Sequence, residues 1–356
     1  MPDATVDSAT ARGVRRPRDP TLWPYESTHR SPIWIGLAIA LVFIIVTVGL
    51  HELMVFFGSR PLYFYSAEVR IGALLINGLL LGYIPTANAL LHQGVERDLR
   101  ELRPVLRLSE GEWRELLSET TVVPSAVLWL ATGIGLGVGA GMASFDPAIR
   151  QNYSGISVVD PRFLWMLLHN MAVMALGLRL FVTETHVSRA YARIGEELVE
   201  VDLFDLAPLA PFARKGQRSV VLWAVLSAII SWFWFLGAAL QANIVISLLV
   251  VIVVTSAFLQ PVVGVRRRIR AAKRAELERI HGALRQERER LLEVGPETGE
   301  SRPRVADLVA YRSLVQGVRE WPFDVSTLVR FLLFGALGVG SWLGGALVER
   351  LLDALL

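Results

Sequence analysis

The chain has no cysteine in 356 residues, which excludes disulfides, thiolate metal ligands and a cysteine nucleophile. Lysine is almost missing as well: Lys215 and Lys273 are the only two among 36 basic residues. The preference for arginine is what GC-rich bacterial coding produces. No two of the 6 histidines stand four apart, so no helical imidazole pair offers itself to a metal. Walker A, H-E-x-x-H, G-x-S-x-G and a G-x-G-x-x-G following a strand are all missing. The expectation is a chain without catalytic residues, cofactor or bound metal, and not an enzyme. Also scarce is charge within the long apolar runs, where only Arg179 stands clearly inside. That scarcity argues against a strongly ion-coupled transporter.

Apolar length is what the chain has. Hydrophobic residues make up 53% of it, and seven runs approach the ~20 residues that a hydrocarbon core requires. They lie at 33–57, 69–92, 122–144, 163–183, 219–239, 243–264 and 327–347. Basic residues fall on one side of them. With the N-terminus in the cytoplasm, 30 of the 36 lie in cytoplasmic segments; the opposite topology would violate the positive-inside rule. The sequence therefore predicts an all-α polytopic membrane protein of about seven transmembrane helices, N-terminus in and C-terminus out, with a cytoplasmic helical arm. Bacterial inner (plasma) membrane is the expected location. The net charge of +3 belongs next to the spans, where it meets anionic lipid headgroups, and nucleic-acid binding is not expected.

Four regions follow. Residues 1–32 form a basic cytoplasmic tail, polar and expected to be disordered. Residues 33–264 carry six spans, the first a retained signal anchor. Residues 265–325 form the cytoplasmic arm, and 326–356 the last span. The even-numbered spans run on into charged helix. Ser109 and Glu112 have capping-box spacing, so a short helix should begin at Glu110. The segment VDLFDLAPLAPFARKGQR at 201–218, interrupted by Pro208 and Pro211, reads as an interfacial linker. In the arm, Leu277, Ile280, Leu284 and Leu291 form an incomplete heptad pattern, better read as a stalk packing on one neighbouring helix than as a coiled coil.

Two intramembrane patterns carry functional expectations. Gly133, Gly137 and Gly141 stand at successive i,i+4 positions in the third run, with Gly135 and Gly139 on a second stripe. Gly340 and Gly344 repeat the spacing in the seventh. Small-xxx-small spacing lets helix backbones approach closely, within the chain or between copies, so a homo-oligomer is expected. On the second run, Asn88 lies about 20° and His92 about 60° around the helix from Asn77. His169 and Asn170 in the fourth run stand at a similar depth to Asn77, and Glu52 closes the first. Together Asn77, Asn88, His92, His169, Asn170 and Glu52 form a candidate polar pathway; the competing reading is interhelical hydrogen bonding. Arg179 is expected to snorkel to the headgroups. The functional expectation is a channel or transporter of unidentified substrate. The alternative is a non-transporting adaptor or sensor whose 265–325 arm binds a cytoplasmic protein.

Overall fold

The computed structural model describes residues 20–28, 31–57, 67–145, 160–232, 240–294 and 301–321. Among them there is no strand: the chain is all-helical. The α-helices in chain order are α1 (Trp23–Glu26), α2 (Pro32–Phe56), α3 (Ala67–Leu106), α4 (Glu110–Thr121), α5 (Ser125–Phe145), α6 (Pro161–Arg193), α7 (Ala210–Ser231), α8 (Leu240–Val294) and α9 (Ser301–Gly317). Among the described residues, four helical stretches, Pro32–Phe56, Ile71–Leu106, Glu110–Met142 and Pro161–Leu198, are long and apolar enough to cross a membrane. The expected span at 243–264 falls on the first part of α8. That at 219–239 lies partly, and that at 327–347 wholly, outside the described residues. The run-on helices follow expectation, since α3, α6 and α8 all continue past their apolar runs.

Contacts divide the chain into two compact units. The first comprises Met1–Gln93, Ser118–His186 and Ala228–Asn243; the second comprises Gly94–Leu117, Val187–Ser227 and Ile244–Leu356.

In the first unit, glycine sets the helix approach. A Cβ at Gly82 of α3 would overlap the Gly36 carbonyl of α2, and one at Gly36 would lie 2.8 Å from the Gly82 carbonyl. Their absence brings the two backbones together. Leu22 and Tyr25 pack with Ala89, Ile35 and Ile39, and the Tyr25 hydroxyl bonds that of Thr86 at 3.2 Å. The disorder expected for the tail therefore does not reach Pro20–Glu26, which forms a 3-10 turn and α1. Leu22 and Tyr25, three residues apart, share one helical face and find an apolar surface to cover. Among the described residues, Leu41, Val42 and Ile45 of α2 and Trp129, Leu130 and Ile134 of α5 are exposed, apolar surface of the kind that faces lipid.

Among the described residues, no neighbour packs against Gly133, Gly137 and Gly141. A Cβ at any of the three would meet nothing within 4 Å among the described residues. The close approach uses the other stripe. A Cβ at Gly135 would lie 2.7 Å from the Met174 carbonyl oxygen and one at Gly139 2.6 Å from that of Asn170. Both stripes have identical spacing, so only the neighbour, α6, distinguishes them. Gly340 and Gly344 lie outside the described residues. Arg179 does not snorkel: it is buried and donates from Nη1 to Thr132 Oγ1 at 2.8 Å. The partner, one α-helix away on α5, satisfies part of the guanidinium that lipid would leave bare.

The second unit is built on buried Val95, Leu99 and Leu102 of α3, Val187 and Tyr191 of α6, Phe212 of α7 and Phe258, Val262 and Ile269 of α8. The end of α6 widens into a π-turn, Ile194–Leu198. There Gly195 lets Val265 approach, a Cβ at 195 falling 2.8 Å from the Val265 nitrogen. The 201–218 segment is not a linker throughout. A 3-10 turn spans Ala207–Leu209 and α7 begins at Ala210, so Pro211 sits in the first turn, where its missing N–H costs nothing. Lys215 is fully buried on α7, donating to Ser219 Oγ at 2.7 Å and Ser188 Oγ at 3.3 Å. The capping box forms as the sequence predicts: Ser109 N–H donates to Glu112 Oε2 at 2.9 Å, and Glu112 N–H to Ser109 Oγ at 3.4 Å.

Helix α9 returns antiparallel along α8. Tyr311 pairs with Glu276, Arg270 with Glu320 at 2.6 Å, and the Arg266 guanidinium lies 4.1 Å from the centre of the Trp321 ring. Ile280 and Val315 are buried. The arm is thus a helical hairpin, close to the one-neighbour stalk read from the sequence.

Candidate functional site

Three of the six polar residues of the expected pathway bond to their own helices. Asn77 Nδ2 donates to the Ala73 carbonyl at 2.9 Å and Asn170 Nδ2 to the Met166 carbonyl at 2.9 Å. His169 Nδ1 donates to the Trp165 carbonyl at 2.8 Å, and its ring meets Phe43 edge-on at 6.0 Å. Each bond closes one turn back, so it neither cross-links helices nor leaves that polar atom for a permeant species. Glu52 is exposed and His92 half-buried. Asn88 differs: it is 3% exposed, and its Oδ1 has no hydrogen-bond partner among the described residues.

A larger concentration of polar chemistry lies in the second unit. Here three separated segments enclose a cleft of about 710 Å³. The first is the end of α3, with Pro104, Val105 and Arg107. Helix α3 stops at Leu106, and Arg107 takes a left-handed backbone, φ 44°, at a position where glycine is usual. A Cβ there costs roughly 1–2 kcal/mol, and strain of this kind gathers at functional positions. The second is 200–204, which follows the π-turn. Glu200 N–H donates to the Val105 carbonyl at 3.3 Å, and Asp202 Oδ1 accepts the Phe204 N–H at 2.9 Å, an Asx turn that presents the Phe204 ring outward. The third is the hairpin, with Ala272, Ala275, Glu276 and Arg279 of α8 and Tyr311 of α9.

Charges in the cleft are mostly paired. Arg107 Nε meets Glu200 Oε2 at 2.5 Å, and Arg279 Nη1 meets Glu276 Oε2 at 3.1 Å. The Tyr311 hydroxyl donates to Glu276 Oε1 at 3.1 Å, and that bond, followed by partial burial and the Glu276 charge, raises the phenol above 10. Tyr311 and Phe204 form an aromatic pair, ring centres 5.9 Å apart. Phe204 is 59% exposed, an aromatic surface without cover.

None of the sequence-derived site residues lies in this cleft. Its hairpin wall belongs to the 265–325 arm singled out for partner binding. Residues 201–204 of this wall belong to the 201–218 linker read from the sequence, where proline and short apolar stretches give no helical period. A signal was present nonetheless: Asp202-Leu203-Phe204 is an Asx-turn tripeptide carrying an aromatic residue. No protein-family model, curated protein or solved structure matches the chain.

Proposed function

We propose that the chain is a membrane-anchored adaptor. Its apolar helices fix it in a bacterial inner membrane, N-terminus in, in about seven spans. The arginine-rich segments that line the cleft, on the cytoplasmic side, hold a segment of a partner protein. The observation that carries this reading is the cleft itself: a strained Arg107, an outward Phe204 and a hairpin wall converge on open space, which is how recognition surfaces present anchors. The arginine excess on one side of the spans supports the orientation.

A photo-crosslinking residue in place of Phe204, compared with one at exposed Asp307 on α9, tests the reading in living cells. The adaptor reading expects one discrete protein captured from position 204, lost when Tyr311 is also changed to Ala, and nothing specific from 307. Equal capture from both positions would sink it.

A second reading, channel or transporter, draws on Asn88, since a buried amide oxygen without a partner costs about 1–3 kcal/mol unless water or a permeant species meets it. Purified protein in liposomes would then pass ions, and Asn88→Leu would stop them. The expected result under the adaptor reading is no flux from either protein.

A further inference from the structure

We infer that the occupant of the cleft is a peptide segment bearing an arginine or lysine, its cation seated between the Asp202 carboxylate and the Phe204–Tyr311 ring pair. This rests on the adaptor reading and names the chemistry of its partner.

Charge accounting comes first. Of the five charged groups on the cleft wall, Arg107 is matched by Glu200 and Arg279 by Glu276. Asp202 makes no ion pair among the described residues, and one of its oxygens already accepts the Phe204 N–H. Its charge reaches Tyr311, where it helps push the phenol up. The uncompensated charge of the cleft is therefore one negative, beside two aromatic faces. A cation suits both features, because a carboxylate attracts it directly and a ring face attracts it through its quadrupole. An anion would have to displace Glu200 or Glu276 from its arginine while facing Asp202.

Shape points to a peptide. Apolar Pro104, Val105, Val201 and Leu203 lie along the same wall as the charges. They provide contact on either side of the cation, as neighbouring side chains of an extended segment require. The chain leaves the π-turn extended, Val199 having φ −77° and ψ 129°, so an extended segment can run beside it.

The test uses the full chain in lipid nanodiscs. Three fluorescent peptide pools, randomised at flanking positions, differ only in a fixed central arginine, citrulline or glutamate. Citrulline keeps the shape of arginine and removes its charge. The arginine pool should be retained about tenfold better than citrulline, the scale of one charge-assisted hydrogen bond, and glutamate should not be retained. Asp202→Asn should close the gap between arginine and citrulline. Phe204→Ala should weaken both, and each change is at an exposed residue, so folding should survive. Equal retention of arginine and citrulline, still lost in Phe204→Ala, would overturn the cation and leave the docking cleft standing. No retention of any pool, or retention indifferent to Phe204→Ala, would overturn the cleft as a docking site and the adaptor reading with it. Loss of the arginine pool to free choline at equal concentration would assign the seat to a lipid headgroup cation instead of a peptide.

Discussion

The Asp98 carboxylate of α3 is bonded to the Arg218 guanidinium of α7, with the aspartate side chain 1% exposed and the arginine 32%. Arg214, one turn earlier on α7, approaches the other carboxylate oxygen at 3.7 Å. A Cβ at Gly94, one turn before Asp98, would collide with the Arg218 side chain, so the glycine makes room for the pair. Removing Arg218 leaves the buried carboxylate with only Arg214 at 3.7 Å, at a cost near 3 kcal/mol, the lower end for such pairs because Arg214 remains and the guanidinium is partly solvated. Arg218→Met should lower the melting temperature in detergent markedly. Asp98→Leu combined with Arg218→Met should recover most of the loss, and a double variant no better than the single would show that the pair is not what holds α3 to α7.

Glycine position should matter more than glycine number in α5. Gly139→Ala places a Cβ 2.6 Å from the Asn170 carbonyl oxygen, and overpacking of this kind costs typically 1–3 kcal/mol. Gly137→Leu meets open space among the described residues and should leave monomer stability unchanged. If Gly137→Leu instead reduces the assembled mass measured by light scattering, the open stripe is the contact between copies.

Arg107→Gly should separate stability from recognition. Glycine accepts the left-handed backbone without penalty and recovers about 1 kcal/mol of strain. The exposed pair with Glu200 that it forfeits is worth at most about as much. Melting temperature should hold or rise, while capture of a partner from position 204 should fall. Falling stability would mean that the side chain, and not the backbone, decides this position.

Tyr311 gives a pH signature. Its phenol is raised because Glu276 accepts a hydrogen bond from the neutral form. For a group whose folded value lies above its unfolded one, the contribution is complete below the unfolded value of 10 and fades as pH rises through the folded one. Glu276→Gln should bring the ionisation of Tyr311 back toward 10, read as the phenolate absorbance that disappears in a Tyr311→Phe background. An unchanged titration would place the bond elsewhere in solution.

The absence of native cysteine makes orientation directly readable. A single thiol at exposed Phe57, after α2, should react with an impermeant reagent in intact cells. A thiol at Phe204 should react only after the membrane is opened. The reverse pattern would invert the topology that 30 arginines and lysines imply.

Much of the architecture was legible, and the reason is local. Helix boundaries at Pro32, Glu110 and Pro161 coincide with prolines or a capping box, signals that act within a few residues. What stayed hidden depends on neighbours. Gly135 and Gly137 have the same spacing pattern, and only the position of α6 makes one a contact and the other a surface. The polar face of Asn77, Asn88 and His92, and the matching depth of His169 and Asn170, follow from helix angle and rise, which can be computed from a sequence. Whether a side chain such as Asn77, His169 or Asn170 turns back onto the carbonyl four residues earlier cannot be. The cleft needed three segments, near 105, 202 and 276, to meet, and no single-segment pattern encodes that.

Arg266, Arg270 and Lys273 are part of the arginine-rich cluster that marks one side of the spans. In the folded chain they are occupied: Arg266 lies on Trp321, Arg270 holds Glu320, and Lys273 donates to the Gln316 and Val318 carbonyls at 2.7 and 2.8 Å. On the proposed topology the same side chains act twice, at different times: during insertion as solvated charges that bias which way the helix threads, and in the folded chain as fasteners closing the end of α9 against α8. Neutralising Lys273 to Gln should leave threading intact, since many charges share that task. It should loosen the α9 terminus, since no other side chain holds those two carbonyls among the described residues, so the biogenesis and the maintenance of this membrane protein can be broken separately at one residue.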